Sequence, residues 1–412
     1  MIPTAGRVLE RVEELFALAP GKNGGATRPA FSEAEARAMR RVAGWAREAG
    51  LEAAVDPHGN LWCLPPGDAP CVMGGSHLDT VPDGGRYDGP LGTVLAVEAA
   101  ARGGGRGGVL VCAAEEASRF GAGTLGSRAM TGKLSDGDLS LLRDAEGRDA
   151  LSARSAYLDA LRDLPRLERS PLERISSHVE VHIEQRADLR ERGLSLGVAT
   201  AVAGPVRHGL RFFGQVAHAG ETPGARRRDA LCAAAEAVLM AERLGREHAP
   251  EVTATAGTLE IRPNSLTSIP GETEVGVDIR GVRPGGARLL LGELLDGARE
   301  AAGRRGVRLD DRPLSASEPT EMDGAMVASV EEACARLGVS CGRCVSFAGH
   351  DAQHIAAVAP AALVFVASEN GVSHAPGEAV GEGDVAAALA VLCALAEGLH
   401  RERAPHALRG RG

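Results

Sequence analysis

A chain of 412 residues is too long for one small core and suits two or three domains. With 44% hydrophobic and 25% charged residues it has an ordinary globular balance, which excludes disorder on a large scale. A formal net charge of -9 argues against a general nucleic-acid binder, because phosphate contacts need a basic face. The longest apolar runs, near 355–367 and 385–396, are broken or too short to span a bilayer, so a soluble protein with no membrane partner is expected. The eight cysteines follow no framework spacing, which fits a reducing cytoplasm. One close pair, Cys341-Gly-Arg-Cys344, lacks the second pair that a zinc site of this kind needs and reads as structural.

The N-terminus carries Glu10, Glu13 and Glu14 inside its apolar pattern, so residues 7–18 read as an amphipathic helix and not as a signal peptide. A second helix begins at Ser32, with Glu33 and Glu35 in its first turn, and ends before Gly50. A turn and strand follow at 59–64, then a short strand at 71–74, a Gly-rich loop, and a helix after Gly92. Gly103, Gly105 and Gly108 match G-x-G-x-x-G, but they follow a helix and precede the strand at 109–113. That is the wrong order for a dinucleotide site and reads as a helix-to-strand turn. Residues 134–176 are charged and helical in pattern, and 179–183 read as a strand bearing His182.

Strands alternating with helices to about residue 205 predict a largely parallel sheet flanked by helices. The texture changes at Gly204-Pro205. Strands at 210–215, 252–261 and 273–280 alternate with long helices at 229–244 and 287–304, a pattern that suits a ferredoxin-like α+β unit. From Glu318 the first texture returns, and 361–367 reads as a buried parallel strand. The expected organisation is a discontinuous domain, 1–207 and 318–412, with a second domain inserted at 208–317. The basic tail, Arg401 to Gly412, is expected to be mobile.

The loop after the strand at 71–74 holds His77, Asp79 and Asp88. Imidazole and carboxylate so close together suit a divalent metal of the zinc or manganese type, although a His-x-Asp alone equally fits solvated loop charges. Further along the chain, Glu116, His182 and His374 also sit at strand ends or in the loops after them. Each alone has a plainer reading: His182 as a core histidine, Glu115-Glu116 as a solvated turn. Together His77, Asp88, Glu116, His182 and His374 make a two-metal centre with a shared carboxylate more economical than five coincidences.

Ordered motifs then run through nearly the whole chain. They are T-R-P-A-F-S at 27–32, G-S-H-L-D-T-V-P-D-G-G-R-Y-D-G at 75–89, E-E-A-S-R-F at 115–120, H-I-E-Q at 182–185, H-A-G-E-T-P at 218–223, I-P-G-E at 269–272, D-I-R at 278–280, A-G-H-D-A at 348–352 and S-H-A-P-G-E at 373–378. In this the chain resembles the metal-dependent amidohydrolases related to zinc aminopeptidases, in the branch of N-carbamoyl-L-amino-acid hydrolases, allantoate amidohydrolases and ureidopropionases.

The resemblance implies a zinc-peptidase-like catalytic domain with an inserted dimerisation or lid domain. It also implies two divalent ions, zinc, manganese, cobalt or nickel, with Asp88 bridging them. His77 and His182 would hold one ion, and Glu116 and His374 the other. Asp79 would orient His77, Glu115 would act as general base and then acid, and His218 would reach across a homodimer to the oxyanion. Gln185, Arg280 and Gly349 would meet the substrate, Arg280 through a carboxylate.

Three positions depart from the branch: Thr267 stands where an Asn is common, Phe347 where Gly is usual, and Ala117 follows the two glutamates in place of Gly. The chemical residues are kept while the substrate shell is altered. Hydrolysis of an N-carbamoyl or ureido group is the first expectation. An N-acyl amino acid, a small peptide-like amide or a specialised metabolite is the second, and a catalytically silent binding protein on the same fold is the third.

Overall fold

The structure, a computed structural model, describes residues 5–103 and 107–403. Gly105 of the glycine cluster and residues 404–412 of the basic tail lie outside the described residues, and the last helix, Glu382–Arg403, takes in the start of that tail. In chain order the strands are β1 (Glu52–Val55), β2 (Leu61–Leu64), β3 (Cys71–His77), β4 (Gly107–Cys112), β5 (Ile175–Ile183), β6 (Leu196–Val202), β7 (Gly204–Phe213) and β8 (Ala217–His218). They continue as β9 (Val252–Arg262), β10 (Ser268–Ile269), β11 (Glu272–Gly281), β12 (Arg308–Ala316), β13 (Thr320–Glu321), β14 (Cys341–Ser346) and β15 (Ala361–Val366).

Two compact units result. The second comprises Ala201–Glu321 with Val345–Ala348, and the first holds the remainder. These bounds are wider than the expected 208–317 because β7 starts at Gly204 and pairs from there, Gly204 facing Gly281 of β11 and Val206 facing Ala316 of β12. Gly204-Pro205, where the texture of the sequence changes, is the first step of that strand.

In the first unit the sheet runs β1-β2-β4-β3-β5-β15-β6, with β14 also pairing with β6. The central strands β4, β3, β5 and β15 are parallel, as the alternation of strands and helices predicts, whereas β1, β2 and β6 add antiparallel edges. β15 is buried at all six positions, which is what an unbroken apolar run means in a sheet covered on both faces. β3 extends beyond the expected 71–74 to His77, because its parallel ladder with β4 continues until His77 faces Cys112. His77 is therefore the last residue of a strand and not part of the loop.

Helix Pro90–Arg102 is buried from Pro90 to Ala100 and packs against β3 and the C-terminal helix. Gly92 permits this close approach, since a Cβ there would lie 1.9 Å from the Val181 carbonyl oxygen of β5. The segment 134–176, expected to be helical, holds two shorter helices, Asp136–Leu141 and Ala150–Ala160, before β5 begins. Ser135 and Asp149 cap them and break the pattern into pieces.

The second unit is a four-stranded antiparallel sheet in the order β12-β7-β11-β9, with helices Ala230–Glu247 and Gly286–Arg304 between its strands. This β-α-β-β-α-β order is ferredoxin-like. Along β11 burial alternates strictly, so Val275, Val277 and Ile279 enter a core with Ala233, Ala237, Leu290 and Leu294, while Glu272, Glu274, Asp278 and Arg280 face the other way. Among the described residues no helix is long and apolar enough to cross a membrane.

Candidate metal centre

From β3 the chain passes to β4 on one side and later to β5 on the other, so the winding of the sheet reverses at the carboxyl ends of β3 and β5. Such a switch point is where open α/β sheets place ligands. His77 ends β3, His182 lies next to last in β5, Glu115 and Glu116 follow β4, and His374 lies in the segment after β15. Asp88 stands before the buried helix, beside Gly89. Gly89 has φ of 80°, and a Cβ on it would lie 2.6 Å from the His77 ring, so only glycine brings Asp88 this close to His77.

Asp88 divides its two oxygens. Oδ1 lies 3.0 Å from His182 Nδ1 and 3.8 Å from His77 Nε2, and Oδ2 lies 3.2 Å from His374 Nε2, which is itself 3.4 Å from Glu116 Oε1. Two groups able to hold a cation result, His77-Asp88-His182 and Asp88-Glu116-His374, sharing Asp88. A third, Glu115-His182-His350, overlaps the first. His77 Nε2, Asp88 Oδ1 and both ring nitrogens of His182 are buried without a hydrogen-bond partner, for the contacts between them lack hydrogen-bond alignment. Buried polar atoms are seldom left so, and imidazole with carboxylate is the donor set that zinc and manganese accept. The residues therefore fit a divalent metal.

Protonation follows the same crowding. Burial pushes Glu116 up to about 7, helped by the neighbouring Asp88, and carries Glu115 well above the usual carboxylate range. Burial would lower His182, but Asp88 and Glu180 outweigh it and carry it up to about 10. Asp88 stays well below the usual range despite its burial, because three histidines face it. Protons here do what a cation would do, and metal binding displaces them.

The loops are fixed by carboxylates. Asp79 accepts from the backbone N–H of Glu115 at 3.0 Å and of Glu116 at 2.9 Å. Its expected partner, His77 Nδ1, lies nearer to the Asp79 carbonyl oxygen, at 3.0 Å, than to its carboxylate, at 3.5 Å. The side chain thus grips the glutamate loop while the backbone faces the histidine. Glu378 accepts from the N–H of Tyr87, Asp88 and His374, and so ties the His374 loop to the Asp88 loop. Glu180 places Oε1 3.1 Å from His182 Nε2, and the His350 ring stands edge-on 4.5 Å from that of His182. Sequence reasoning assigned no role to Glu180, Glu378 or His350. Glu180 had a signal in its i, i+2 spacing from His182, which puts both on one face of a strand, and Glu378 and His350 stood unread inside quoted motifs.

Gln185 reaches the oxygen of Asp88 that faces His374, donating from Nε2 to Oδ2 at 3.3 Å, and Gly349 is exposed beside the buried His350. In the second unit His218 and Thr267 are neighbours, since β8 pairs His218 with Ser268 and the Ala219 N–H donates to the Thr267 carbonyl oxygen. His218 Nδ1 accepts from the N–H groups of Gly220 and Glu221, which leaves its hydrogen on Nε2, free to donate. Arg280 and Phe347 also meet, through Nη1 and the Phe347 carbonyl oxygen at 2.6 Å. The Arg280 fork, expected to grip a substrate carboxylate, also grips Asp278 through Nε at 2.9 Å and Nη2 at 3.2 Å.

Residues 73–398 match Peptidase family M20/M25/M40. The chain belongs to this family. Among its relatives, an N-carbamoyl-L-amino acid amidohydrolase of Geobacillus stearothermophilus is 36% identical over 90% of this chain and 93% of its own. An allantoate amidohydrolase of Escherichia coli is 31% identical over 88% of this chain and 90% of its own. A solved amidase of the hydantoinase/carbamoylase family from Burkholderia multivorans superimposes with a TM-score of 0.85 at 31% identity, covering 96% of this chain and 98% of the other. The matched stretch contains all the M20-type ligand candidates named above, from His77 to His374.

Proposed function

We propose that this chain is a metal-dependent amidohydrolase that cleaves the carbamoyl or ureido C–N bond of an N-carbamoyl-L-amino acid-like substrate, giving an amino acid, ammonia and carbon dioxide. The observation that carries this reading is the division of Asp88 between two ligand groups, with a second glutamate, Glu115, beside them. Two divalent ions, held by His77, Asp88 and His182 and by Asp88, Glu116 and His374, would supply Lewis acidity and make a water far more acidic, toward a pKa of about 7.

Glu115 takes a proton from the attacking water and returns it to the leaving nitrogen, as general base and then general acid. The oxyanion that forms on the attacked carbonyl needs a donor from outside the metal pair. His218, with its hydrogen on Nε2, is suited to that task and is contributed by the other subunit of a homodimer. Gln185 and Gly349, with Thr267, Arg280 and Phe347, form the substrate shell, and Arg280 offers its remaining N–H groups to the substrate carboxylate. The enzyme works in the cytoplasm, where its eight free cysteines remain reduced.

Thr267 and Phe347 favour one second reading, the same chemistry on an N-acyl amino acid or a peptide-like amide. The test is an assay of the purified protein on carbamoyl, ureido and acyl substrates with ammonia detection, run beside Glu115→Gln. Ammonia from a carbamoyl or ureido substrate is expected, reduced about 100-fold or more in the variant while its metal content is kept. Activity confined to acyl substrates would replace the first reading by the second, and an unimpaired variant would remove Glu115 from its role.

A further inference from the structure

Four consecutive backbone N–H groups lead into and through the glutamate pair, and side chains from three distant segments accept from all four. Ala113 donates to Asn60 Oδ1 at 3.0 Å, Ala114 to Glu35 Oε1 at 3.1 Å, Glu115 to Asp79 Oδ1 at 3.0 Å and Glu116 to Asp79 Oδ2 at 2.9 Å. Ala114 has φ of 56°, a left-handed conformation that costs a residue with a Cβ about 1 kcal/mol and persists only where its surroundings enforce it. Glu35 does the same work twice. Its other oxygen accepts from the Phe31 N–H at 2.6 Å, and Phe31 too is left-handed, with φ of 51°.

Glu35 is fully buried in the first turn of its helix, and both of its oxygens accept from backbone N–H groups. A carboxylate in such a place is costly unless paired and hydrogen-bonded. Burial and the neighbouring Asp79 push the Glu35 carboxyl well above the usual carboxylate range, the N–H groups of Ala114 and Phe31 oppose this, and the buried Arg28 nearby is fixed by the carbonyl oxygens of Leu78 and Leu15. The motif T-R-P-A-F-S, which the proposed reaction leaves without a part, thus supplies both the cation, Arg28, and one of the two backbone groups that Glu35 holds, Phe31.

We propose that Glu35 is a positioning residue for the reaction: by holding Ala114 in its left-handed conformation it sets the aim of Glu115 and Glu116. This rests on the roles given to those two glutamates above.

The test uses the full-length protein loaded with Mn2+ and the variant Glu35→Gln. That side chain has the same size and keeps one acceptor, but it turns an NH2 toward the other N–H. Loss of one of the two buried hydrogen bonds predicts kcat lower by about tenfold or more with KM changed by less than about threefold, and hydrogen exchange at the Ala114 amide faster by about tenfold or more. Glu35→Gln with Ala114→Gly should recover most of kcat, since glycine adopts positive φ without help.

A variant that melts earlier but keeps kcat, KM and exchange at 114–116 would show a purely structural role and overturn the proposal. Should Glu35→Gln not fold, the unaltered protein decides. Its Ala114 amide must exchange as slowly as those of Glu115 and Glu116, and exchange faster by about tenfold would overturn the clamp. Exchange is read without substrate, so an unaltered protein inactive on every carbamoyl and ureido substrate would refute the proposed reaction and leave the clamp to be judged by exchange.

Discussion

Asp88 and Asp278 are both carboxylates facing cationic or protonatable side chains, in different units of the same chain, and their surroundings differ in one respect. Asp278 has its needs met by protein alone: Arg280 and Arg207 donate to it at 2.9 Å, and the same face of the sheet carries further pairs, Arg211 with Glu272 and Arg312 with Glu274. Asp88 is buried against His77 Nε2 and the His182 ring, whose nitrogens, like its own Oδ1, have no hydrogen-bond partner. The half-solvated lattice is complete as it stands, whereas the buried cluster keeps donor atoms that could hold a cation. Unmet hydrogen-bonding capacity under burial, more than charge density, separates a ligand site from a charged surface.

The strongest way to break this contrast is to withhold the metal. Prolonged chelation should abolish hydrolysis and lower the melting temperature, with both restored by Mn2+ or Zn2+, because an ion that binds only the folded state stabilises it. A chelated protein with unchanged melting temperature and activity would place the Asp88 cluster in the same class as the Asp278 lattice.

A smaller effect sharpens the contrast within the cluster. Because Asp88 belongs to both ligand groups and His374 to one, Asp88→Asn should reduce bound metal at both positions, and His374→Ala at one while the His77-Asp88-His182 group retains its ion. Elemental analysis after dialysis distinguishes them, and equal losses in the two variants would contradict a shared carboxylate.

Much of this cluster was legible in the sequence, for a definite reason. His77, Glu116, His182 and His374 each follow or end an apolar run, and a parallel sheet gathers the carboxyl ends of its strands on one side. The parallel core and the ferredoxin-like order were readable from period and alternation. Glu35 and its hold on Ala114 were not, since a side chain bonded to a backbone amide 79 residues away leaves no periodic trace. Glu378 was hidden for the same cause, and so was the second task of Asp79, whose carboxylate lies beside His77 and also accepts from the N–H groups of Glu115 and Glu116. The occupied fork of Arg280 was equally out of reach: Asp278 lies two residues earlier on the same face, a spacing as common in solvated strands as in binding sites.

The Asp278 lattice can be tested by acid. Burial pushes the Asp278 carboxyl up, but hydrogen bonds from Arg280 and Arg207 outweigh it and hold the group below the usual carboxylate range. A folded pKa below the unfolded value of about 3.9 means that the interaction stabilises the fold at and above that pH and is lost as pH falls through the folded value. Asp278→Asn should therefore cost about 1 kcal/mol near neutral pH, since the pairs are partly solvated and screened. The difference should close in acid, where the unaltered side chain also becomes neutral. Urea unfolding of both proteins at neutral pH and at about pH 3 reads this directly. A deficit of the same size at both values would mean that Asp278 acts through shape and not charge, and that its grip on Arg280 is no stronger than a neutral amide would provide.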